Sequence, residues 1–499
     1  MNEQTRTKNS FRNIGFSFSL QLCTLIVSFI SRTVFIKILG QEYLGINGLY
    51  SNILSVLSLA DLGIHTAMVY SLYEPIATKN LERISQLVAY FKKLYRIIAL
   101  AIFCLGLILL PFLQFIIKDS GLTIRNLRLY FLLYLINSVS SYLIVYKTTL
   151  IQADQRMFVI NIANFLPTVC VHILQIVILY LTRNFALYLC VQILITLTKN
   201  LSLNIISNKY YPFLKNKSNL TIETEIKRHI NDNLKAVFLY RISATILNST
   251  DNILISILLG TTVVGVYSNY LLITSSLNAF ILAFSSALLA GIGNFLATES
   301  SQRKLQLFKV LSLLYFLIAT FCSCCFVSMF NDFMWLWVGN INNTYILSDI
   351  SIYAITFTFF INCIINPLWM FRESAGTYVQ TKYVMFIAAL LNIVLSIIFS
   401  WFMGLAGIIF ATAIASLMTF VWYEPKVLFK NVFQQSMKGY WVFTFKQGLL
   451  ASICLFCMVI IGKVLPTTFL FIVLKIFLSG LITGLIFLIF KKINPVIKG

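Results

Sequence analysis

The chain has 499 residues, of which 59% are hydrophobic and 11% charged, and its mean hydropathy is +0.87; a soluble domain carries about a quarter charged residues, so ordinary soluble domains are excluded. The formal net charge of +22 does not indicate nucleic acid, because Lys and Arg lie between apolar runs and not on one solvated face or tail. They are read as topology determinants on one side of a bilayer, attracted to anionic lipid heads.

Met1 to Ser10 is polar, and the apolar segment that follows outruns a signal peptide and lacks a small-residue cleavage site. It is expected to remain as the first helix. Hydrophobic runs then place helices near 12–38, 43–72, 94–117, 124–146, 157–182 and 184–207. The stretch from Asn208 to His229, with Lys209, Lys215, Lys217, Lys227 and Arg228, is the longest hydrophilic segment and reads as a linker. Eight more helices are expected near 231–258, 263–294, 305–330, 346–371, 381–402, 405–424, 443–464 and 467–490.

With the N-terminus inside, about 29 of the 38 Lys and Arg fall on cytoplasmic segments. Both termini are therefore expected in the cytoplasm. External loops are short; the longest, Asn331 to Tyr345, carries Phe333, Trp335 and Trp337, which suit an interfacial belt. The fold class expected is an all-α integral membrane protein of about fourteen transmembrane helices. Its parts are an N-terminal lobe (1–207), a cytoplasmic linker (208–230), a C-terminal lobe (231–430) and two further helices (431–499).

An internal repeat supports the division. Leu39-Gly40 and Gly45, followed by Tyr50-Ser51-Asn52, match Leu259-Gly260 and Gly265, followed by Tyr267-Ser268-Asn269. Each copy sits at an outer turn between an outgoing and a returning helix, as in transporters with two parallel lobes.

Polar groups at bilayer depth are costly unless they face water or a partner. Helical spacing gathers Ser17, Gln21, Ser28 and Arg32 on one face, and Ser51, Ser58, Asp61 and His65 on another. The seventh helix aligns Arg241, Thr245, Asn248 and Asn252, with Asp251 near that face. Ser, Thr and Asn in such stripes commonly bond neighbouring helices, whereas Arg32 and Arg241 suit a water-filled, anion-attracting cavity. Asp61 and Asp251 are either coupling-ion sites or counter-ions of the arginines, and His65 either titrates or makes a structural hydrogen bond, as His172 does. Pro167 and Pro367 interrupt the fifth and tenth helices, Asn362, Asn366 and Glu373 share a face, and Lys475 is read as snorkelling outward. The ten cysteines lie in or beside apolar segments and imply no disulfide; the CxxC at Cys454 and Cys457 reads as core packing, not as a metal or redox centre. No phosphate-cradling loop or HExxH occurs, so ATP hydrolysis within the chain is not expected, and the short external loops leave no sizeable catalytic loop for a polymerase or glycosyltransferase, so an enzyme is not expected.

Three stretches resemble the Wzx-type polysaccharide flippases, the oligosaccharide repeat-unit transporters of the multidrug/oligosaccharidyl-lipid/polysaccharide exporter superfamily. The first runs from Ser31-Arg32-Thr33 through Leu39-Gly40 and Gly45 to Asp61-Leu62-Gly63. The second runs from Tyr70-Ser71-Leu72-Tyr73-Glu74-Pro75 to Tyr90-Phe91-Lys92-Lys93-Leu94-Tyr95-Arg96. The third spans Phe371-Arg372-Glu373-Ser374-Ala375-Gly376, Thr381-Lys382-Tyr383, Leu391-Asn392-Ile393 and Gly404 to Trp422-Tyr423-Glu424-Pro425.

The resemblance implies two six-helix lobes around a central cavity, with helices thirteen and fourteen appended, in a bacterial cytoplasmic membrane. It implies an undecaprenyl-diphosphate-linked oligosaccharide as cargo, moved by alternating access for capsule or exopolysaccharide synthesis beside polymerase and assembly proteins. Arg32 and Arg241 would meet the diphosphate, with Gln21, Asn248, Asn252 and Asn366 offered to sugar hydroxyls. No cofactor is expected; proton or sodium coupling would use Asp61, Asp251 or His65. The alternatives are a cell-wall precursor flippase, a multidrug exporter of the same superfamily, or, from the enzyme class, a membrane polysaccharide polymerase.

Overall fold

In a computed structural model, the residues described are 22–58, 64–118, 121–154, 156–215, 242–247, 249–339 and 343–493. They are helical throughout apart from turns, with no strand among them. Eleven helices are long and apolar enough to cross a membrane, or twelve if one bent pair counts as a single span. The chain divides into two compact units, Met1–Gly265 and Val266–Gly499.

The first unit contains α1 (Leu22–Leu39), α2 (Gln41–Leu57), α3 (Ile64–Ala77), α4 (Leu81–Leu109), α5 (Ile124–Tyr142), α6 (Val145–Ala153), α7 (Met157–Thr182) and α8 (Phe185–Tyr210), then α9 (Ser249–Leu259). The run expected as one helix over 43–72 is described as α2 and α3, and that over 231–258 only by its last part. The span expected to open at 94 begins at Leu81: Asn80 caps it by accepting from the Arg83 amide at 3.0 Å, so the turns carrying Arg83, Lys92 and Lys93 continue the helix. Asn184 caps α8 in the same way, accepting from Ala186 and Leu187.

The fourth expected span is broken, with α5 and α6 meeting at a 41° bend. The cause is a side chain in the ladder: Asn200 on α8 donates to the Ser140 carbonyl at 2.7 Å, taking an acceptor the next turn would use. By contrast, α7 runs through Pro167.

In the second unit, α10 (Thr261–Thr298), which the unit boundary cuts, is followed by α11 (Ser301–Met334), α12 (Asp349–Ala375), α13 (Tyr378–Met403), α14 (Leu405–Leu428), α15 (Lys438–Val464) and α16 (Phe469–Ile493). Pro367 lies inside an unbroken α12. In α11, α12 and α14 most of the apolar span is buried, whereas α13, α15 and α16 turn most of theirs outward. The first three are the core. Phe308, Phe371, Phe429, Phe433 and Tyr440 interlock at one end of that core, with ring centroids 5.1 to 6.3 Å apart. Outward side chains such as Trp401 and Phe402 suit lipid, where an apolar surface carries no hydration cost.

The two copies of the repeat are alike in structure. Gly40 and Gly260 end α1 and α9 with φ of 84° and 100°, a region that L side chains enter at a cost of about 1–2 kcal/mol. Each donates its amide back one turn, to Ile36 and Ser256. Five residues on, the copies cross. A Cβ on Gly45 would overlap the Thr261 carbonyl, and one on Gly265 would overlap that of Gln41. The same glycine spacing therefore serves both turns and the contact between them.

Candidate functional site

Arg32, on α1, is half-buried and lies within electrostatic reach of Tyr134 on α5 and Tyr188 on α8. Tyr134 in turn donates to the Asn47 side chain on α2. Below it, Ser28 and His172 are hydrogen-bonded at 3.2 Å, joining α1 to α7. Toward the start of α8, Phe35, Tyr43, Tyr130, Phe185 and Tyr188 pack edge to face, which fixes the backbone that carries Arg32. A guanidinium over phenolic oxygens in apolar surroundings attracts an anion, because the low local dielectric amplifies each charge.

On α9, Asn252 is buried, and its Oδ1 has no hydrogen-bond partner among the described residues. Asp251, beside it, is half-buried. His65 on α3 is held from both sides by α6, Nδ1 by the Thr149 hydroxyl at 3.0 Å and Nε2 by Gln152 Oε1 at 3.1 Å. In the second unit, Asn366 is buried on α12 and donates to the Asn362 carbonyl of its own helix at 2.9 Å. Gln21, Asp61, Arg241 and Asn248, the remaining site residues expected from sequence, lie outside the described residues.

Among the described residues three cations are buried, one in the first unit and two in the second. Lys147, on α6, donates to Asn204 and Asn208 of α8 at 2.5 and 2.6 Å. Arg372 is paired with Glu424 on α14 and with Glu373. Lys475 does not snorkel: its ammonium is fully buried and donates to Asp332 on α11 at 2.5 Å and to the Gly462 and Leu465 carbonyls at the end of α15. Three donors meet three acceptors. Of these residues, Lys147 reads from sequence as one more cytoplasmic lysine, and the signal for Tyr134 and Tyr188 is only that a phenol in an apolar helix needs a partner. At the cytoplasm-facing end expected for α8, the Tyr211 hydroxyl donates to Asp154 at 2.8 Å, while Arg156 pairs with that carboxylate and covers the Tyr210 ring. Burial, then the Asp154 hydrogen bond, push the Tyr211 hydroxyl well above the usual phenol range. Among the described residues no group of His, Cys, Asp and Glu is placed to hold a metal ion.

No family model and no curated protein matches the sequence. Solved structures do. Lipid II flippase MurJ in an inward closed conformation aligns with 96% of this chain and 99% of its own, at 14% identity and a TM-score of 0.72. An inward-facing multidrug resistance MATE family transporter of the MOP superfamily aligns with 83% of this chain and 98% of its own, at 14% identity and a TM-score of 0.58. For a Vibrio cholerae MATE transporter, VcmN, the figures are 86%, 100%, 15% and 0.54. Similarity at this identity establishes the architecture of a multi-pass membrane protein; function is argued from the site.

Proposed function

We propose that the chain is a flippase that carries undecaprenyl-diphosphate-linked oligosaccharide repeat units from the cytoplasmic to the outer leaflet by alternating access. The carrying observation is the extent of the structural match: MurJ covers 96% of the chain and the MATE transporters 83 to 86%. The difference is about the length of the α15–α16 pair. A lipid-linked precursor is therefore favoured over a small drug as the class of cargo. Arg32, in its phenolic setting, is suited to a diphosphate through charge-assisted hydrogen bonds, with Arg241 as its counterpart in the other copy of the repeat. Gln21, Asn248, Asn252 and Asn366 supply groups for sugar hydroxyls. Asp61, Asp251 and His65 are the coupling candidates. The lobes proposed are 1–207 and 231–430, with both termini in the cytoplasm of a bacterium and polymerase or assembly proteins at the outer face.

The third of the resembling stretches favours a capsule or exopolysaccharide repeat unit, whereas the MurJ match favours a second reading, a lipid-linked cell-wall precursor. Gene deletion in the native host separates them. Loss of surface polysaccharide with lipid-linked repeats held on the cytoplasmic side, rescued by wild type and not by Arg241→Ala, is the expected result. Lysis with accumulated cell-wall precursor supports the second reading. Repeats that reach the outer face unpolymerised indicate a polymerase and end the flippase reading.

A further inference from the structure

His65 sits in a cradle whose donors and acceptors can be assigned. The Thr149 hydroxyl has one hydrogen, which it gives to the Val145 carbonyl at 2.8 Å. With the hydrogen so placed, that oxygen, 3.0 Å from His65 Nδ1, is left to accept, and Nδ1 carries the proton between them. On the other side Gln152 presents Oε1 to Nε2 at 3.1 Å. An amide oxygen only accepts, so in this arrangement Nε2 carries a proton as well. The imidazole is then an imidazolium with both hydrogens satisfied by neutral partners.

The cradle also fits the neutral ring. The side-chain amide of Gln152 has no other hydrogen-bond partner among the described residues, so it can turn over and donate N–H to an unprotonated Nε2. Thr149 still accepts from Nδ1–H. One hydrogen bond on each side survives in either charge state, which removes the usual cost of an unmet buried donor or acceptor on titration. Among charged groups on the elements packed against α3, Lys147 of α6 is turned to Asn204 and Asn208. Asp154, just past α6, is taken by Arg156 and Tyr211. On α4, Lys92 lies over the Tyr146 ring; Glu82, Arg83, Lys93 and Arg96 are its other charged groups, and Tyr90, Tyr95 and Cys104 its neutral titratable ones. On α3 itself the acid is Glu74, and Asp61 lies outside the described residues.

We propose that His65, Thr149 and Gln152 form a reversible proton site, in which one proton on Nε2 is exchanged against a turn of the Gln152 amide, and that its occupancy sets the pH profile of transport. The second clause rests on the flippase reading. The first does not. The site ties α3 to α6, the half-helix beyond the 41° bend, so proton uptake changes the charge at the joint between two elements of the first unit.

The chain has three histidines, so [15N]histidine labelling of the full-length protein in lipid nanodiscs resolves each ring. A His65 signal, identified by its loss in His65→Gln, should pass from the neutral to the doubly protonated form as pH is lowered from about 8 to 5, the range of a solvated imidazole. In Gln152→Glu, which retains an acceptor in both amide positions, the signal should stay doubly protonated across that range. Export by Gln152→Glu, measured as surface polysaccharide in the deletion strain, should lose its pH dependence while wild type retains it. A wild-type His65 signal that stays in one form overturns the proton site, whatever the transport result. A titrating His65 with an unchanged export profile in Gln152→Glu overturns its part in transport and leaves the flippase reading standing. Failure of wild type to restore export in that strain refutes the flippase reading and leaves the spectroscopic result intact.

Discussion

The Arg372 guanidinium donates to the Glu424 carboxylate at 2.7 Å, with both side chains almost wholly buried. The contact joins two segments, Phe371 to Gly376 and Trp422 to Pro425, that stand out in the sequence as separate motifs. Their spacing of 52 residues is the length of the α12–α14 path. Breaking such a pair leaves one charge buried and uncompensated, at a cost of about 3–5 kcal/mol. Arg372→Met and Glu424→Leu should each strongly lower the unfolding temperature of purified protein. The double substitution should recover most of the loss, and additive losses would contradict a buried pair.

Gly45 and Gly265 should not tolerate a methyl group. Alanine at either would press on a backbone carbonyl of the partner turn, an overpacking cost of about 1–3 kcal/mol. Alanine at Gly291 or Gly293, which face open space, should change little. Thermal unfolding of the four variants side by side measures the contrast, and equal behaviour would show that the crossing is loose.

Export should separate charge from shape at Arg32. Under the proposed function, Arg32→Ala removes about 1.5–3 kcal/mol of charge-assisted hydrogen bonding to the anionic cargo, which corresponds to roughly a tenfold or greater fall in export. Arg32→Lys keeps the charge and loses the planar fork. An intermediate rate for Lys indicates that both count, and full export by Ala would remove Arg32 from cargo handling. Membrane-inserted protein is quantified in each strain so that folding losses are not read as transport losses.

Lys475 and Asp332 should behave as a second coupled pair. Lys475→Met leaves the Asp332 carboxylate, among the described residues, with the Thr467 hydroxyl at 3.1 Å, and Asp332→Asn leaves a buried ammonium facing an amide. Each single change should lower the unfolding temperature, and Lys475→Met with Asp332→Leu should lie closer to wild type than either.

What could be read in the sequence was whatever is local. Apolar runs marked the spans, and the glycine pattern marked two equivalent turns, because helix termination and positive φ depend on a few neighbouring residues. The all-helical architecture followed from them, although eleven or twelve spans stand among the described residues against the fourteen expected. The bend between α5 and α6 was not legible, since its cause, Asn200, is 60 residues from Ser140. The prolines misled in the other direction, for α7 and α12 run unbroken through Pro167 and Pro367. Lys475 was misjudged for the same reason as the bend: its nearest acid in space is 143 residues away in sequence. Of the candidate site, the stripe with Arg32 was visible as spacing on one helix, while the tyrosines near it come from α5 and α8.

That distance of 143 residues orders the making of the protein. A lysine inside an emerging membrane segment opposes insertion, by up to about 2.5–3.5 kcal/mol at a helix centre, and α16 leaves the ribosome after α11 and α15. Its aspartate, on α11, is by then already in the membrane with α15 beside it. α16 thus enters against a waiting partner, and a chain cut short before Lys475 leaves Asp332 without its ammonium.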